Sequence, residues 1–167
     1  IAMVNPNSAL LLVGDGTDKA RLQQLCTDAS LHDRLQFIEH QPMEQMPNFM
    51  AAADVLLVHL KRSEIARYVI PTKTLAYLAA GRPILMAMEG AAADLVKSAG
   101  AGVIVAPEDP AGLAKAMQEL SEMSLSERIA MGLRGQTHLR QHLSKAKVII
   151  QYEAMLQGCA KRNVSRE

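Results

Sequence analysis

The sequence predicts an α/β domain, a doubly wound parallel sheet of Rossmann-like type with extra helices at its C-terminal end. Three observations point there. Short apolar runs alternate with helical patterns through residues 9–105, which is the mark of βαβ units around a parallel sheet. Several of those runs are apolar without interruption, as strands covered on both faces require. Beyond residue 105 the strand-like runs stop and only helical periodicity continues.

The strands fall at residues 9–13, 35–38, 55–59, 83–86 and 102–105. Between them, residues 18–29, 46–53, 72–80 and 92–98 repeat apolar side chains every three or four positions, which predicts crossover helices. Asp109-Pro110 then offers an N-cap followed by proline at the first helical position. The helix it opens carries Leu113, Met117, Leu120 and Met123 as one apolar stripe. Ser124 and Glu127 stand three apart as a capping box for the next helix. A last helix from 144 to about 159 puts Ile149, Tyr152, Leu156 and Cys159 on a face, and residues 161–167 are a polar tail expected to fray.

Composition narrows the function classes. Hydrophobic residues make up 49% of 167, enough for one sizeable core, and no internal repeat or low-complexity linker divides the chain. One domain over residues 1–160 is expected. Eighteen Lys and Arg against 17 Asp and Glu leave a net charge of +1, too small a field to gather nucleic acid over the whole surface. Cys26 and Cys159 have no CxxC partner, so neither a disulfide framework nor a zinc site is implied, and a reducing cytoplasm fits. No apolar run approaches the roughly 20 residues that span a bilayer. The opening residues, Ile1 to Pro6, lead almost directly into a strand without a signal-peptide layout. The chain is therefore expected to be cut from something longer.

Two places carry residues suited to chemistry. The first strand ends in Gly14-Asp15-Gly16 before a helix, and doubly wound folds bind ligands at the carboxyl ends of strands, near helix N-termini. As a dinucleotide fingerprint the pattern fails at Lys19, where the third glycine would stand. A tight turn alone also accounts for these glycines. The second place is Val69-Ile70-Pro71-Thr72-Lys73-Thr74. Pro71 fixes the entry of a helix whose first turn gathers free amides, hydroxyls and a positive charge, a cradle for a diphosphate. Thr72 as a simple N-cap is the plainer reading. Gly81 ends the same helix as its C-cap.

In their order, these motifs resemble a known family. Gly14-Asp15-Gly16, Leu35 to Ile38, Ala51 to Val58, Pro71-Thr72-Lys73, Tyr77-Leu78-Ala79-Ala80-Gly81-Arg82-Pro83-Ile84, Gly100-Ala101-Gly102 and Pro107-Glu108-Asp109 occur as in group 1 (family 4) retaining glycosyltransferases of the GT-B fold. The match covers nearly the whole chain. Its Pro-Thr-Lys and Tyr-Leu-Ala-Ala-Gly-Arg-Pro segments are similar to the branch that builds bacterial O-antigen and capsule polysaccharides.

The resemblance implies the donor-binding half of a two-domain enzyme, inactive alone, that takes a nucleotide diphosphate sugar, commonly UDP-linked. It implies no cofactor and no metal held by the protein. Gly14, Asp15 and Gly16 would border the nucleotide, His40 and its neighbours Glu39 and Gln41 the base, and Thr72, Lys73 and Thr74 would present amides to the diphosphate. The acceptor would be a saccharide or a lipid-linked one, bound by a separate N-terminal domain, in the cytoplasm or at the inner face of its membrane.

The chain also departs from the family. Many members carry two glutamates eight positions apart, and those positions fall on Tyr68 and Ala76. Glu64, the nearest acidic residue upstream, is the catalytic candidate that would substitute if the loop of residues 61–68 folds inward; a solvated carboxylate in a loop made basic by Lys61, Arg62 and Arg67 is the plainer reading. The missing glutamates leave a non-catalytic nucleotide-sugar or protein-binding module as an alternative. A sugar-nucleotide 2-epimerase shares the two-lobed architecture but calls for acidic and histidine residues that this sequence does not arrange. His32, His59, His138 and His142 form no ligand spacing with His40.

Overall fold

The computed structural model describes residues 8–164. Among them the chain runs β1 (Leu10–Val13), α1 (Lys19–Asp28), β2 (Leu35–Ile38), α2 (Met46–Ala52), β3 (Leu56–His59), α3 (Thr72–Ala80), β4 (Ile84–Ala87), α4 (Ala91–Ser98), β5 (Gly102–Val105), α5 (Pro110–Glu122), α6 (Leu125–His142) and α7 (Lys145–Val164). Every expected strand and crossover helix is present, with no end shifted by more than one residue. Single 3₁₀ turns at Met43–Gln45 and Ile65–Arg67 are additional.

All strand pairing is parallel, but the sheet is in two pieces among the described residues. β1 pairs with β2, and β3, β4 and β5 form a separate three-stranded layer with β4 in the middle. Packing explains the division of labour. The three-stranded layer is covered on both faces: Val58, Ile84, Met86 and Met88 meet Leu78 of α3 and Ala92 and Val96 of α4. Leu85 turns the other way, onto Ala116 and Leu120 of α5 and Met131 of α6. Every residue of β4 is buried, whereas β1 and β2 contain none that is fully buried.

The helix-end signals act as the sequence dictates. Asp109 accepts from the Gly112 amide at 2.8 Å with Pro110 at the first helical position. Ser124 and Glu127 satisfy each other's backbone amides in a complete capping box. The stripe Leu113, Met117, Leu120 and Met123 packs on the sheet through α5. α3 closes at Gly81 in the left-handed conformation (φ 68°).

Two expectations at the C-terminal end change. The last helix extends through Val164 rather than ending near Cys159, so residues 161–164 continue its turns. Residues 165–167, like the opening segment 1–7, lie outside the described residues. The anticipated face of Ile149, Tyr152, Leu156 and Cys159 exists, but all four side chains are exposed.

Candidate functional site

Parallel strands place all their carboxyl ends on one edge, and the turns that follow β1, β2, β3 and β4 build the site there. After β1, the Gly14 amide continues the ladder to the Ile38 carbonyl at 3.0 Å, and Gly14 then turns with φ 120°. A side chain at Gly14 or Gly16 would meet nothing within 4 Å, so both glycines face open space. Asp15 accepts from the Gly16 amide at 2.8 Å. His40 and Glu39 are exposed after β2.

Lys19 supplies the link that sequence reasoning missed. Its ammonium donates to Glu39 Oε1 at 2.8 Å and lies 4.0 Å from Asp15 Oδ1, tying the two turns together. The Glu39 hydrogen bond, reinforced by the charges of Glu39 and Asp15 against partial desolvation, raises the Lys19 pKa above its usual 10.5. A lysine at the first turn of α1 was the available signal, registered only as the place where a third glycine is lacking.

The loop after β3 reaches the same edge. Asp18, the N-cap of α1, has its pKa lowered chiefly by the hydrogen bond and charge of Arg21, and the Lys61 charge also contributes. Residues following β1 and β3 are therefore within Coulombic reach of one another across the gap between the two sheet pieces.

At α3 the structure separates three residues that sequence had grouped. Pro71 is the N-cap and no side chain caps the helix, so Thr72 is not the cap. Thr72 and Lys73 are exposed at the first turn, and their amides have no acceptor among the described residues. Thr74 differs: its amide donates to the Pro71 carbonyl at 2.9 Å, and its side chain is wholly buried with an unpartnered hydroxyl. The expectation that Thr74 offers its amide to a ligand is corrected on that ground, because the first turn tightens onto Pro71 and turns Thr74 into the core.

Glu64 is the N-cap of the Ile65–Arg67 turn and is exposed, as are Tyr68 and Ala76, where the family's glutamates would stand. The carboxylate that does engage the loop is Glu89, just beyond β4. Its oxygens lie 3.5 Å from Arg62 and 3.2 Å from Arg67. A surface groove between α6 and the end of α4 is lined by residues including Ala99, Leu133, Arg134 and His138 and shares none with this edge.

A model of the family described as glycosyl transferases group 1 matches residues 2–138. The chain belongs to the group 1 glycosyltransferases. Among curated relatives, the probable glycosyltransferase WbjE of Pseudomonas aeruginosa is 31% identical over 129 residues, 73% of this chain and 30% of that protein. A GDP-mannose-dependent phosphatidylinositol monomannoside mannosyltransferase of Corynebacterium glutamicum is 28% identical over 142 residues, 83% of this chain and 36% of that one. The chain thus spans about a third of the length of these relatives. HepE of Anabaena, solved with UDP-glucose, superposes with a TM-score of 0.79 at 22% identity, over 94% of this chain and 43% of that one. WaaG, a glycosyltransferase of lipopolysaccharide biosynthesis, superposes at 0.66 with 20% identity over 79% of this chain and 34% of that one. These likenesses establish the fold, a Rossmann-like half of a GT-B glycosyltransferase. Among the described residues no helix is long and apolar enough to cross a membrane.

Proposed function

We propose that this chain is the donor-binding half of a retaining glycosyltransferase. It would take a nucleotide diphosphate sugar, UDP-linked, for transfer to a saccharide or lipid-linked acceptor in cell-surface polysaccharide synthesis. The observation that carries the reading is the uncapped start of α3. Two unpaired amides, at Thr72 and Lys73, and the Lys73 charge stand at the edge where Gly14 to Gly16 leave the backbone open. A helix N-terminus with free amides favours negative charge. As the glycosidic bond breaks, charge gathers on the departing nucleoside diphosphate, and fixed donors aimed at it lower the barrier.

The complex of HepE with UDP-glucose supports a UDP-linked donor, and the name of the WaaG structure supports a cell-surface product. Asp15, Gly16 and His40 would border the nucleoside. The reading assigns no cofactor and no protein-bound metal, and a separate domain to the acceptor. A cytoplasmic location, with contact at the inner face of the membrane where a lipid-linked acceptor is presented, belongs to the same proposal.

Thermal unfolding with UDP, GDP, ADP, CMP and NAD tests it. A ligand at ten times its Kd adds about 1.4 kcal/mol, a rise of roughly 3 to 5 °C for a domain of this size. Stabilisation by UDP is the expected result. Stabilisation by NAD alone would overturn the reading.

A further inference from the structure

Glu89 and the loop after β3 form one unit. Gly90, with φ 88°, lies so close under the loop that a side chain there would overlap the Arg67 carbonyl. That contact seats residues 67 and 68 beside the end of β4. The Arg67 guanidinium donates to Glu89 Oε2 at 3.2 Å, and Arg62 approaches Oε1 at 3.5 Å. Each oxygen therefore meets one arginine. The carboxylate remains about one-third exposed.

A carboxylate offers about four lone-pair directions, so two arginines leave capacity for further donors. Neighbouring hydroxyls of a pyranose are donors of that kind. Sequence position 68, where a family carboxylate would stand, holds an exposed Tyr, and the Glu64 carboxylate has no partner to orient it among the described residues. Glu39 on this edge is also held, by Lys19 at 2.8 Å, but Glu89 is the carboxylate that meets two arginines.

We infer that Glu89 reads the sugar of the donor, accepting from its hydroxyls, while Arg62 and Arg67 hold the carboxylate in place as positioning residues. The carboxylate for the sugar thus comes from the β4–α4 turn instead of the loop after β3. This inference rests on the donor-site reading.

Titration calorimetry on the intact protein separates the two. The probes are UDP, UDP-glucose, GDP and GDP-mannose, bound to wild type, Glu89→Gln and Glu64→Gln. In Glu89→Gln, the sugar nucleotide that wild type prefers should weaken about tenfold, with the matching nucleoside diphosphate within about twofold. Glu64→Gln should leave both unchanged, and Arg67→Lys should retain more of the sugar-nucleotide affinity than Arg67→Ala. An unchanged unfolding midpoint of Glu89→Gln confirms the fold. Equal weakening of both ligands, or of neither, overturns the role of Glu89 and leaves the donor site standing. Failure of wild type to bind either nucleoside diphosphate sinks the donor reading and the inference together.

Discussion

The β3–β4–β5 layer and the β1–β2 pair are both parallel, four-residue-stranded and apolar in sequence, yet only the first is buried on both faces. Ile84 and Met86 have no exposed surface, while Leu11 of β1 is 48% exposed. The difference shows what each side contributes to the site. The packed layer positions α3 and Glu89, the groups proposed to meet the diphosphate and the sugar. The open pair contributes the glycine turn and the residues after β2, held across to each other by Lys19.

Substitution in the two regions should expose that contrast, the largest effect coming from the packed layer. Ile84→Ala should cost about 2–5 kcal/mol, because a buried side chain is removed from a site with little room to collapse. Leu11→Ala should cost less than about 1 kcal/mol, since most of its surface is already wet. Urea unfolding of both variants measures the gap, and equal losses would erase the distinction. Gly132→Ala comes next. An added methyl there would collide with the Gly81 carbonyl and push α6 off α3, at about 1–3 kcal/mol by thermal melting. Asp109→Ala removes the cap of α5 and should cost about 1 kcal/mol.

The smallest effects are pH-dependent and opposite in sign for the two sides. Glu127, in the capping box of α6, has its pKa lowered from 4.5 by the Ser124 hydroxyl and then by the Ser124 amide. Its stabilisation is present above 4.5 and disappears as pH falls through the folded value. Lys19 is raised above 10.5, so its tie is present below that pH and is lost as pH rises through the folded value. Glu127→Gln should flatten the acid limb of the stability profile and Lys19→Met the alkaline limb. Interchanged limbs would contradict both assignments.

Much of this was legible in the chain. The uninterrupted apolar runs gave the strands, and the Asp109-Pro110 and Ser124 to Glu127 signals gave helix ends within a residue, because capping is local chemistry between neighbours in sequence. The glycine turn and the start of α3 were found for the same reason. Lys19 and Glu89 were missed as members of the candidate site: their partners lie 20 and 22 residues away, at Glu39 and Arg67, and pairing at that distance leaves no periodic trace.

By itself, then, the sequence determined the element order, the parallel α/β class, the helix caps and the family. Those follow from hydrophobic period, from hydrogen bonds spanning three or four residues, and from motifs in fixed order. Tertiary structure alone decided that Thr74 enters the core while Thr72 and Lys73 stay free, that the sheet divides in two, and that a carboxylate after β4 faces the loop after β3. Each depends on which backbone groups are already paired and on how crossover helices bring distant turns to one edge, and neither is written in local spacing.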